Sequence, residues 1–548
     1  MKKSTSILLI FFLLVGIMAF SPPSQRYFEI AKNLDIFATL FKEVNTLYVD
    51  EINPNQLVRV GIDAMLNSLD PYTNYIPEDE VENYRTMNTG QYGGIGAATR
   101  QFGKRVVISM IFEDYPAAKG GLKIGDEIIK MDGVELSRLS MDESNRLMRG
   151  QVGKPVTLTV MRPGNDNLLE LEFKREKIKV NNVPYYGIVG EKVGYVALAD
   201  FTIDAGKEVK NAVIALKDKG ATSIVLDLRG NPGGILQEAV SICNIFLPKG
   251  KHVVSTKGKI KESNVSYETS LAPVDLEIPV AVLMDRGSAS ASEIVAGTLQ
   301  DYDRAVIIGE KSYGKGLVQL SRPLSYKSQV KITTAKYYTP SGRCIQVLDY
   351  SHRRPDGSAG VVPDSLKKPF RTTNGRIVYD GGGIDPDIPV QSDDHPEIAQ
   401  VLLTNGYFFD YASLYHLKHP SIAPPGKFDV TEQEYQDFIS WLKQKDYQYQ
   451  SSLENLMTKL VEQSKKEKVY DDLRQHLDQV TQKITEARKK DFIVHKELLK
   501  AMLAEEIAIR YYFEKGAVET RFLHDQELKT ASRLLANSSE YKKILKAQ

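Results

Sequence analysis

Residues 285–301 read DRGSASASEIVAGTLQD, residues 304–310 read RAVIIGE, and residues 311–319 read KSYGKGLVQ. An apolar run at 279–284 precedes them and has the length of a buried strand. The first segment turns at its glycine and continues into the helix-like composition of 291–300, and the second segment contains another apolar strand. The predicted order is strand, serine-bearing turn, helix, strand and lysine-bearing turn.

These residue types, in this order, predict a serine–lysine hydrolase site. A serine nucleophile needs a base beside it and backbone N–H groups aimed at the developing oxyanion. The N-terminus of a helix supplies such N–H groups. Ser290 and Glu293 also fit a capping box, and most serines in that spacing only cap a helix. Lys315 stands between Gly314 and Gly316, which favours catalysis, because a merely solvated lysine needs no such backbone freedom.

Composition limits the class of protein. The 548 residues are too many for one ordinary domain, and 71 basic residues nearly cancel 70 acidic ones, so no basic field predicts nucleic acid binding. Cys243 and Cys344 lack the spacing of zinc or thioredoxin sites, and we expect them to form one bridge or to remain two buried thiols. We predict no metal and no cofactor.

The first 21 residues are typical of a secretion signal. Lys2 and Lys3 precede an apolar run from Ile7 to Phe20, which is shorter than the roughly 20 residues of a membrane span. The cleavage region matches its consensus poorly, so an uncleaved anchor in the inner membrane is the alternative. We predict export to the bacterial periplasm or cell envelope.

Residues 25–87 are predicted to form a helical arm. Ile30, Leu34 and Phe37 recur at helical spacing, and the helical pattern ends before LDPYTNYIP at 69–77, whose prolines keep the chain extended. We expect no chemistry in this arm, which either packs as a helical hairpin or mediates dimerisation.

A glycine-rich loop, YGGIG at 92–96, opens the next segment, and PAAKGGLKIGDEIIKMDG follows at 116–133. Strands are predicted at 106–111 and 155–161, and a helix at 141–148. Over 88–178 this pattern resembles a PDZ domain. The resemblance implies that a peptide adds as a strand to the sheet edge and that N–H groups of the loop hold its terminal carboxylate. The loop residues concerned are Gly93, Gly94, Ile95 and Gly96. The alternative is that these glycines only make a tight turn.

Further glycine-rich motifs follow predicted buried strands. RGNPGG at 229–234 follows a strand at 224–228, where close approach of a ligand is expected in an open α/β sheet. YYTPSGRCIQ at 337–346 and GIDPD at 383–387 come after the lysine turn. With the serine and lysine segments and LDPYTNYIP, these motifs resemble the carboxyl-terminal processing peptidases, also called tail-specific proteases, in family order.

The resemblance implies a role for individual residues. Ser290 would be the nucleophile, Lys315 the base and Gln319 the residue that positions the lysine. The backbone oxyanion donors would be Gly233 or Gly234, and Ala291. Ser288 and Ser292 remain alternative nucleophiles. A Ser-His-Asp triad is the weaker hypothesis, because His252, His352 and His395 lie outside the glycine-rich motifs.

Residues 401–548 are predicted to be helical. Apolar residues with heptad-like spacing form a seam at Leu473, Leu477, Val480, Ile484 and Ala487. Because the seam covers about two heptads, packing within the chain is favoured over a free coiled coil. We expect this region to deliver substrate or to form oligomer contacts.

The predicted fold class is multidomain α+β. It comprises a helical N-terminal arm (25–87), a PDZ domain (88–178), a peptidase core (179–400) and a helical C-terminal extension (401–548), and the core is expected to be an α/β fold similar to the ClpP and crotonase group. The predicted function is that of an exported serine endopeptidase that recognises the C-terminal tails of protein substrates. The chain is expected to form a homo-oligomer, specifically a dimer. The alternative is a catalytically inactive PDZ scaffold of the envelope.

Overall fold

The computed structural model describes residues 23–354, 356–391, 396–445, 447 and 451–546. The predicted secretion signal, residues 1–21, lies outside them. In the described part of the chain, no helix has both the length and the apolar character needed to cross a membrane.

The N-terminal arm consists of helices α1 (Pro23–Leu47) and α2 (Pro54–Asn67). Asn53 starts α2, because its side chain accepts hydrogen bonds from the first N–H groups of the helix. The arm leaves apolar side chains uncovered: Leu34 and Phe37 are 65% and 52% exposed. After the arm come β1 (Asn74–Ile76) and α3 (Val81–Thr89).

The segment predicted to be a PDZ domain forms an antiparallel sheet in the order β3-β4-β5-β7-β8, with β6 beside β5 and a separate pair of β2 with β9. Its elements are β2 (Gln91–Gly94), β3 (Ala97–Phe102), β4 (Arg105–Ile111), α4 (Pro116–Lys119), β5 (Glu127–Met131), β6 (Val134–Glu135), α5 (Met141–Met148), β7 (Pro155–Met161), β8 (Leu168–Lys174) and β9 (Glu176–Lys179). Val106 and Ile108 of β4 face its core, whereas Val107 faces the opposite side. The strands predicted at 106–111 and 155–161 and the helix predicted at 141–148 are confirmed.

The segment predicted to be a peptidase core is built on a six-stranded sheet in the order β10-β11-β12-β15-β16-β23. All neighbours are parallel except β10 and β11. Its elements are β10 (Tyr185–Val189), β11 (Val193–Ala197), α6 (Ala205–Asp218), β12 (Ser223–Asp227), α7 (Leu236–Phe246), β15 (Val280–Met284), α8 (Ala291–Asp301), β16 (Val306–Gly309) and β23 (Ile388–Pro389).

Both faces of this sheet are buried. Alternate residues of a strand point to opposite faces, so Val282 packs with α6, α7 and α8, and Leu283 packs on the other face. That second face is covered by the last two helices of the chain, α16 (Gln526–Ala536) and α17 (Ser538–Ile544). The C-terminal extension therefore completes the hydrophobic core on this face of the sheet.

A second sheet of the core includes the strand that follows the lysine loop, the segment 311–316 that contains Lys315. It consists of β13 (His252–Gly258), β14 (Ser266–Glu268), β17 (Leu317–Pro323) and β18 (Gln329–Tyr338), and β1 of the N-terminal segment adds to β18. Two hairpins lie outside it, β19 (Leu348–Arg353) with β20 (Ala359–Val361) and β21 (Pro369–Arg371) with β22 (Ile377–Tyr379). Pairing of β1 brings residues 70–76 beside the strand that faces Gln319.

The remaining helices have their own apolar core, and together with α16 and α17 they form the C-terminal helical unit. They are α9 (Glu397–Thr404), α10 (Tyr407–Lys418), α11 (Glu432–Lys443), α12 (Ser452–Lys466), α13 (Tyr470–Arg488), α14 (Asp491–Val494) and α15 (Lys496–Arg521). The predicted seam lies on α13, which packs against α12 within the chain, as expected. The packing is incomplete, because Leu473 and Val480 remain 41% and 45% exposed. Cys243 and Cys344 are free thiols, so the alternative of a bridge between them is wrong.

Candidate active site

Ser290 sits at the sharp turn between β15 and α8. Its φ and ψ are 55° and −111°, a combination that a residue with a Cβ rarely adopts and that costs about 1–3 kcal/mol. Hydrogen bonds to both the N–H and the carbonyl of Ser290 hold the turn. The N–H of Ser290 donates to Glu293 at 2.8 Å, and its carbonyl accepts from the hydroxyl of Tyr337 at 3.2 Å. Strain of this kind, stabilised by neighbouring groups, is typical of a nucleophile turn.

Glu293 joins the serine turn to the lysine loop. Its carboxylate is fully buried and accepts hydrogen bonds from the hydroxyl of Ser312 at 2.6 Å, the N–H of Gly314 at 2.7 Å and the N–H of Lys315 at 2.9 Å. Burial raises the pKa of Glu293, although these hydrogen bonds act in the opposite direction. The sequence indicated only a capping residue here. The second role depends on a loop 19–22 residues away, which spacing within the helix does not reveal.

The backbones of Ser290 and Lys315 converge on one atom, Oε2 of Glu293. Since each backbone nitrogen lies within hydrogen-bond distance of that oxygen, the two nitrogens are separated by no more than the sum of the two bonds. The structure therefore brings the backbones of the two predicted catalytic residues together, from the ends of two parallel neighbouring strands.

Lys315 lies in an environment that disfavours its charged form. Burial lowers its pKa to about 8, and the nearby positive charge of Lys331 acts in the same direction. The ammonium nitrogen lies 4.6 Å from the ring centroid of Tyr72, which comes from the LDPYTNYIP segment. This contact was not foreseen, because no chemistry was expected before residue 88.

Gln319 lies four residues beyond the lysine on β17, opposite Thr333 of β18. Its side-chain amide donates to the hydroxyl of Thr333 at 3.1 Å, and the N–H of Thr333 donates to the hydroxyl of Thr73 at 3.1 Å. Thr73 is in turn held by Asp70. Gln319 is thus linked to the segment that contacts Lys315, and its role as a positioning residue stays a prediction.

The alternative nucleophiles have other partners. Ser288 and Ser292 are fully buried, and their hydroxyls donate to the backbone carbonyls of Leu228 at 2.8 Å and Asn231 at 3.0 Å. These bonds tie the serine turn to the loop after β12. Both hydroxyls are therefore buried and engaged with the backbone.

The histidines considered for a triad lie elsewhere or outside the described residues. His252 contacts Ser266 on β14, and His352 is exposed beside Asp349. His395 lies outside the described residues. Among the described hydrogen bonds, no histidine contacts Ser290.

The predicted oxyanion glycines pack against the serine turn. A Cβ on Gly233 would lie 2.7 Å from the nitrogen of Ala291 and 2.8 Å from the Cβ of Ser290, so this approach requires glycine. The N–H of Gly233 donates to the side chain of Asn231 at 2.9 Å. In the described part of the chain, the N–H groups of Gly234 and Ala291 make no hydrogen bond.

The predicted carboxylate-binding loop lies between β2 and β3. Gly93 and Gly94 belong to β2 and pair with β9, whereas Ile95 is fully buried and its carbonyl accepts from Ala117 at 2.8 Å. Gly96 has φ = 79° and would bring a Cβ within 2.3 Å of Tyr115. Within the described residues, the N–H groups of Ile95 and Gly96 donate to no other group, which leaves them able to bind an anion.

Three family descriptions match consecutive parts of the chain. "PDZ domain" matches residues 93–173, "Peptidase family S41" matches residues 192–365, and "Probable PDZ-protease, C-terminal helical domain" matches residues 398–535.

Named protein sequences and solved structures are also similar. A "Carboxy-terminal-processing protease" of Bartonella bacilliformis is 39% identical over 352 residues, 64% of this chain and 78% of that protein. A "Probable CtpA-like serine protease" of Staphylococcus aureus is 35% identical over 315 residues, 57% of this chain and 62% of that protein. The solved photosystem II D1 C-terminal processing protease is 25% identical, covers 66% of this chain and 93% of its own, and has a TM-score of 0.35. The PDZ domain of a Vibrio cholerae carboxy-terminal protease, solved in complex with a peptide, is 28% identical and covers 16% of this chain and 99% of its own, with a TM-score of 0.16.

Proposed function

Because the chain belongs to the PDZ-containing carboxy-terminal-processing proteases of peptidase family S41, we propose that it is an exported endopeptidase with a Ser290–Lys315 dyad. Its PDZ domain binds the C-terminal tail of a protein substrate, and the core cleaves the chain upstream of that tail. Holding the tail on one domain raises the effective concentration of the scissile bond at the other.

The observation that carries the proposal is the shared carboxylate of Glu293. It bonds the backbones of Ser290 and Lys315 at 2.8 and 2.9 Å and so fixes the serine turn relative to the lysine loop. The lowered pKa of Lys315, about 8, supports a base that is neutral in part of the population near neutral pH. The buried hydrogen bonds of Ser288 and Ser292 favour Ser290 among the three serines.

In the proposed reaction, the neutral amine of Lys315 accepts the proton of the Ser290 hydroxyl as the oxygen attacks the scissile carbonyl carbon. N–H groups of Ala291 and Gly234 stabilise the resulting oxyanion. The lysine then gives its proton to the leaving amine, and the C–N bond breaks to leave an acyl-enzyme. Water, deprotonated by the same lysine, attacks the ester carbonyl carbon. The C–O bond to Ser290 then breaks, the lysine returns its proton to the serine oxygen, and the second product leaves as a carboxylic acid.

The loop at 93–96 is proposed to hold the substrate's carboxylate. Its unpaired N–H groups at Ile95 and Gly96 support this role. We further expect tail binding by the PDZ domain to assemble the reactive arrangement of the dyad, as the family resemblance implies.

The apolar run at 7–20 supports export to the periplasm or envelope, with inner-membrane association if it is retained. The exposed apolar face of the arm supports a dimer.

The test is cleavage of an unstructured peptide with an apolar C-terminus, analysed by mass spectrometry. We expect the wild-type chain to cleave it, Ser290→Ala and Lys315→Ala to lose activity, and Ser292→Ala to remain active. Amidation of the peptide's C-terminus should raise KM. A wild-type chain that binds the peptide but never cleaves it would support the alternative of an inactive PDZ scaffold, whereas full activity of Ser290→Ala would refute the assigned nucleophile.

A further inference from the structure

Arg229 connects the loop after β12 to the C-terminal end of the chain. Its guanidinium makes two hydrogen bonds to Asp525, at 3.1 and 2.6 Å, and one to Glu527 at 3.3 Å. It also contacts Asp227, the last residue of β12, at 2.5 Å. The three carboxylates are 2–10% exposed and the arginine is 17% exposed. Residues almost 300 positions apart are therefore joined by a buried network of charged hydrogen bonds.

This network begins a chain of contacts that leads to Ser290. The N–H of Gly230, the next residue, donates to Asp285 at 2.9 Å, and Asp285 also binds the N–H groups of residues 287 and 288. The carbonyl of Asn231 accepts from the N–H of Ala289 at 3.0 Å. Gly233 then lies against Ser290 and Ala291. A continuous series of contacts therefore joins Arg229 to the predicted oxyanion donors and to the serine turn.

The same end of the C-terminal unit packs against β11, the strand beside β12. Phe522 packs its ring 4.8 Å from that of Tyr195 on β11, and the hydroxyl of Tyr195 donates to Asp227 at 2.7 Å. Asp525 is itself fixed, because its Oδ1 caps α16 by accepting from the N–H of Leu528 at 2.8 Å. The carboxylates that hold Arg229 therefore project from the capped start of α16.

The C-terminal unit also contacts the PDZ domain. Asp410 of α10 makes a bidentate pair with Arg105 of β4 at 3.0 and 3.1 Å, and Phe409 packs against Phe102 at 5.4 Å. One helical unit thus touches the tail-binding domain at one end and the loop beside Ser290 at the other.

We propose that Asp525 and Glu527 are positioning residues for the peptidase reaction: through Arg229 they hold residues 230–234 in register with the turn that carries Ser290. This inference rests on the proposed function, and it assigns the C-terminal helical unit a part in catalysis beyond covering the sheet. A purely structural role predicts a different result, in which removal of the network lowers thermal stability but leaves kcat per folded molecule unchanged.

Asp525→Asn separates the two roles, because asparagine keeps the Oδ1 that caps α16 and removes the charge that holds Arg229. We expect kcat to fall about 10–100-fold with KM changed less than about twofold, since a misplaced loop affects transition-state stabilisation more than tail binding. Glu527→Gln should lower kcat in the same direction but less, and it serves if Asp525→Asn fails to fold. The control is Glu432→Gln, which breaks an exposed pair with Lys496 in the same helical unit and should leave kcat unchanged.

Hydrogen exchange of residues 228–234 and 286–292 provides a readout that does not need activity. Faster exchange there in Asp525→Asn, but not in Glu432→Gln, supports positioning. Unchanged kcat in a folded Asp525→Asn with unchanged exchange overturns it. If the wild-type chain itself does not cleave the test peptide, the proposed function fails. The exchange result then decides alone whether the network holds the loop.

Discussion

The ammonium nitrogen of Lys315 lies 4.6 Å from the ring centroid of Tyr72. Tyr72 belongs to the segment after the N-terminal arm, and its hydroxyl also contacts that of Tyr313 at 3.4 Å, two residues before the lysine. The ring excludes water from one side of the amine while its face favours the cation. Burial is nevertheless the larger influence, because the pKa of Lys315 falls to about 8. The N-terminal segment is therefore part of the environment of the proposed base.

We expect kcat/KM to rise with pH and to level off above a midpoint near 8, because Lys315 must be neutral before it accepts the proton of Ser290. Lys331→Gln removes a positive charge that disfavours the ammonium form, so the pKa of Lys315 should rise and the midpoint should move to higher pH. Lys327→Gln, which alters an exposed lysine paired with Glu78, is the control. The measurement is a pH–rate profile of peptide cleavage for all three chains. A midpoint that is the same in Lys331→Gln as in the wild type would contradict the assignment.

Glu293→Gln should reduce both activity and stability. The carboxylate of Glu293 accepts hydrogen bonds from backbone N–H groups, whereas glutamine would place an NH2 group, itself a donor, against some of them. We therefore expect the free energy of unfolding to fall by about 2–4 kcal/mol and kcat to fall about 100-fold. Urea denaturation and steady-state kinetics measure the two effects. Glu143→Gln is a matched control, because Glu143 completes a capping box with Ser140 on the surface of the PDZ domain and contacts no catalytic loop. If the two variants are equally active, Glu293 has no role in the activity.

Gly233→Ala should abolish cleavage. The new Cβ would lie 2.6 Å from the carbonyl oxygen of Ala289 and 2.7 Å from the nitrogen of Ala291, so the oxyanion loop must move away from Ser290. We expect kcat to fall at least about 100-fold. Gly190→Ala separates the clash from backbone strain, because Gly190, between β10 and β11, also has a positive φ, 61°, but a Cβ there meets no atom within 4 Å. That variant should lose only about 1–2 kcal/mol of stability. If both variants are equally active, close packing of Gly233 has no catalytic role.

Local sequence patterns predicted the helix and strands that position the site, but they did not predict the side chains that contact the proposed catalytic residues from distant parts of the chain. The helix predicted at 291–300 is α8, because its turn glycine, capping residues and apolar run all lie within a few positions. The ring of Tyr72 over Lys315 and the pairing of Arg229 with Asp525 join positions hundreds of residues apart, and no local periodicity specifies such partners. Glu293 was recognised as a cap because that role is local, whereas its bonds to the lysine loop depend on how two strands pack.

The exposed face of the arm predicts self-association through α1. Ile30, Leu34 and Phe37 follow helical spacing on α1 and are 49–65% exposed, so they form a stripe that a second copy can bury. Stable dimers usually bury about 1,200–2,000 Å² in total, and removing the centre of an apolar stripe should break such an interface. We expect Leu34→Asp combined with Phe37→Asp to lower the sedimentation coefficient from that of a dimer to that of a monomer, without loss of helicity. Lys32→Glu, an exposed charge change on the same helix, should sediment as the wild type does. A wild-type chain that sediments as a monomer at all accessible concentrations would rule out the arm as a dimer interface.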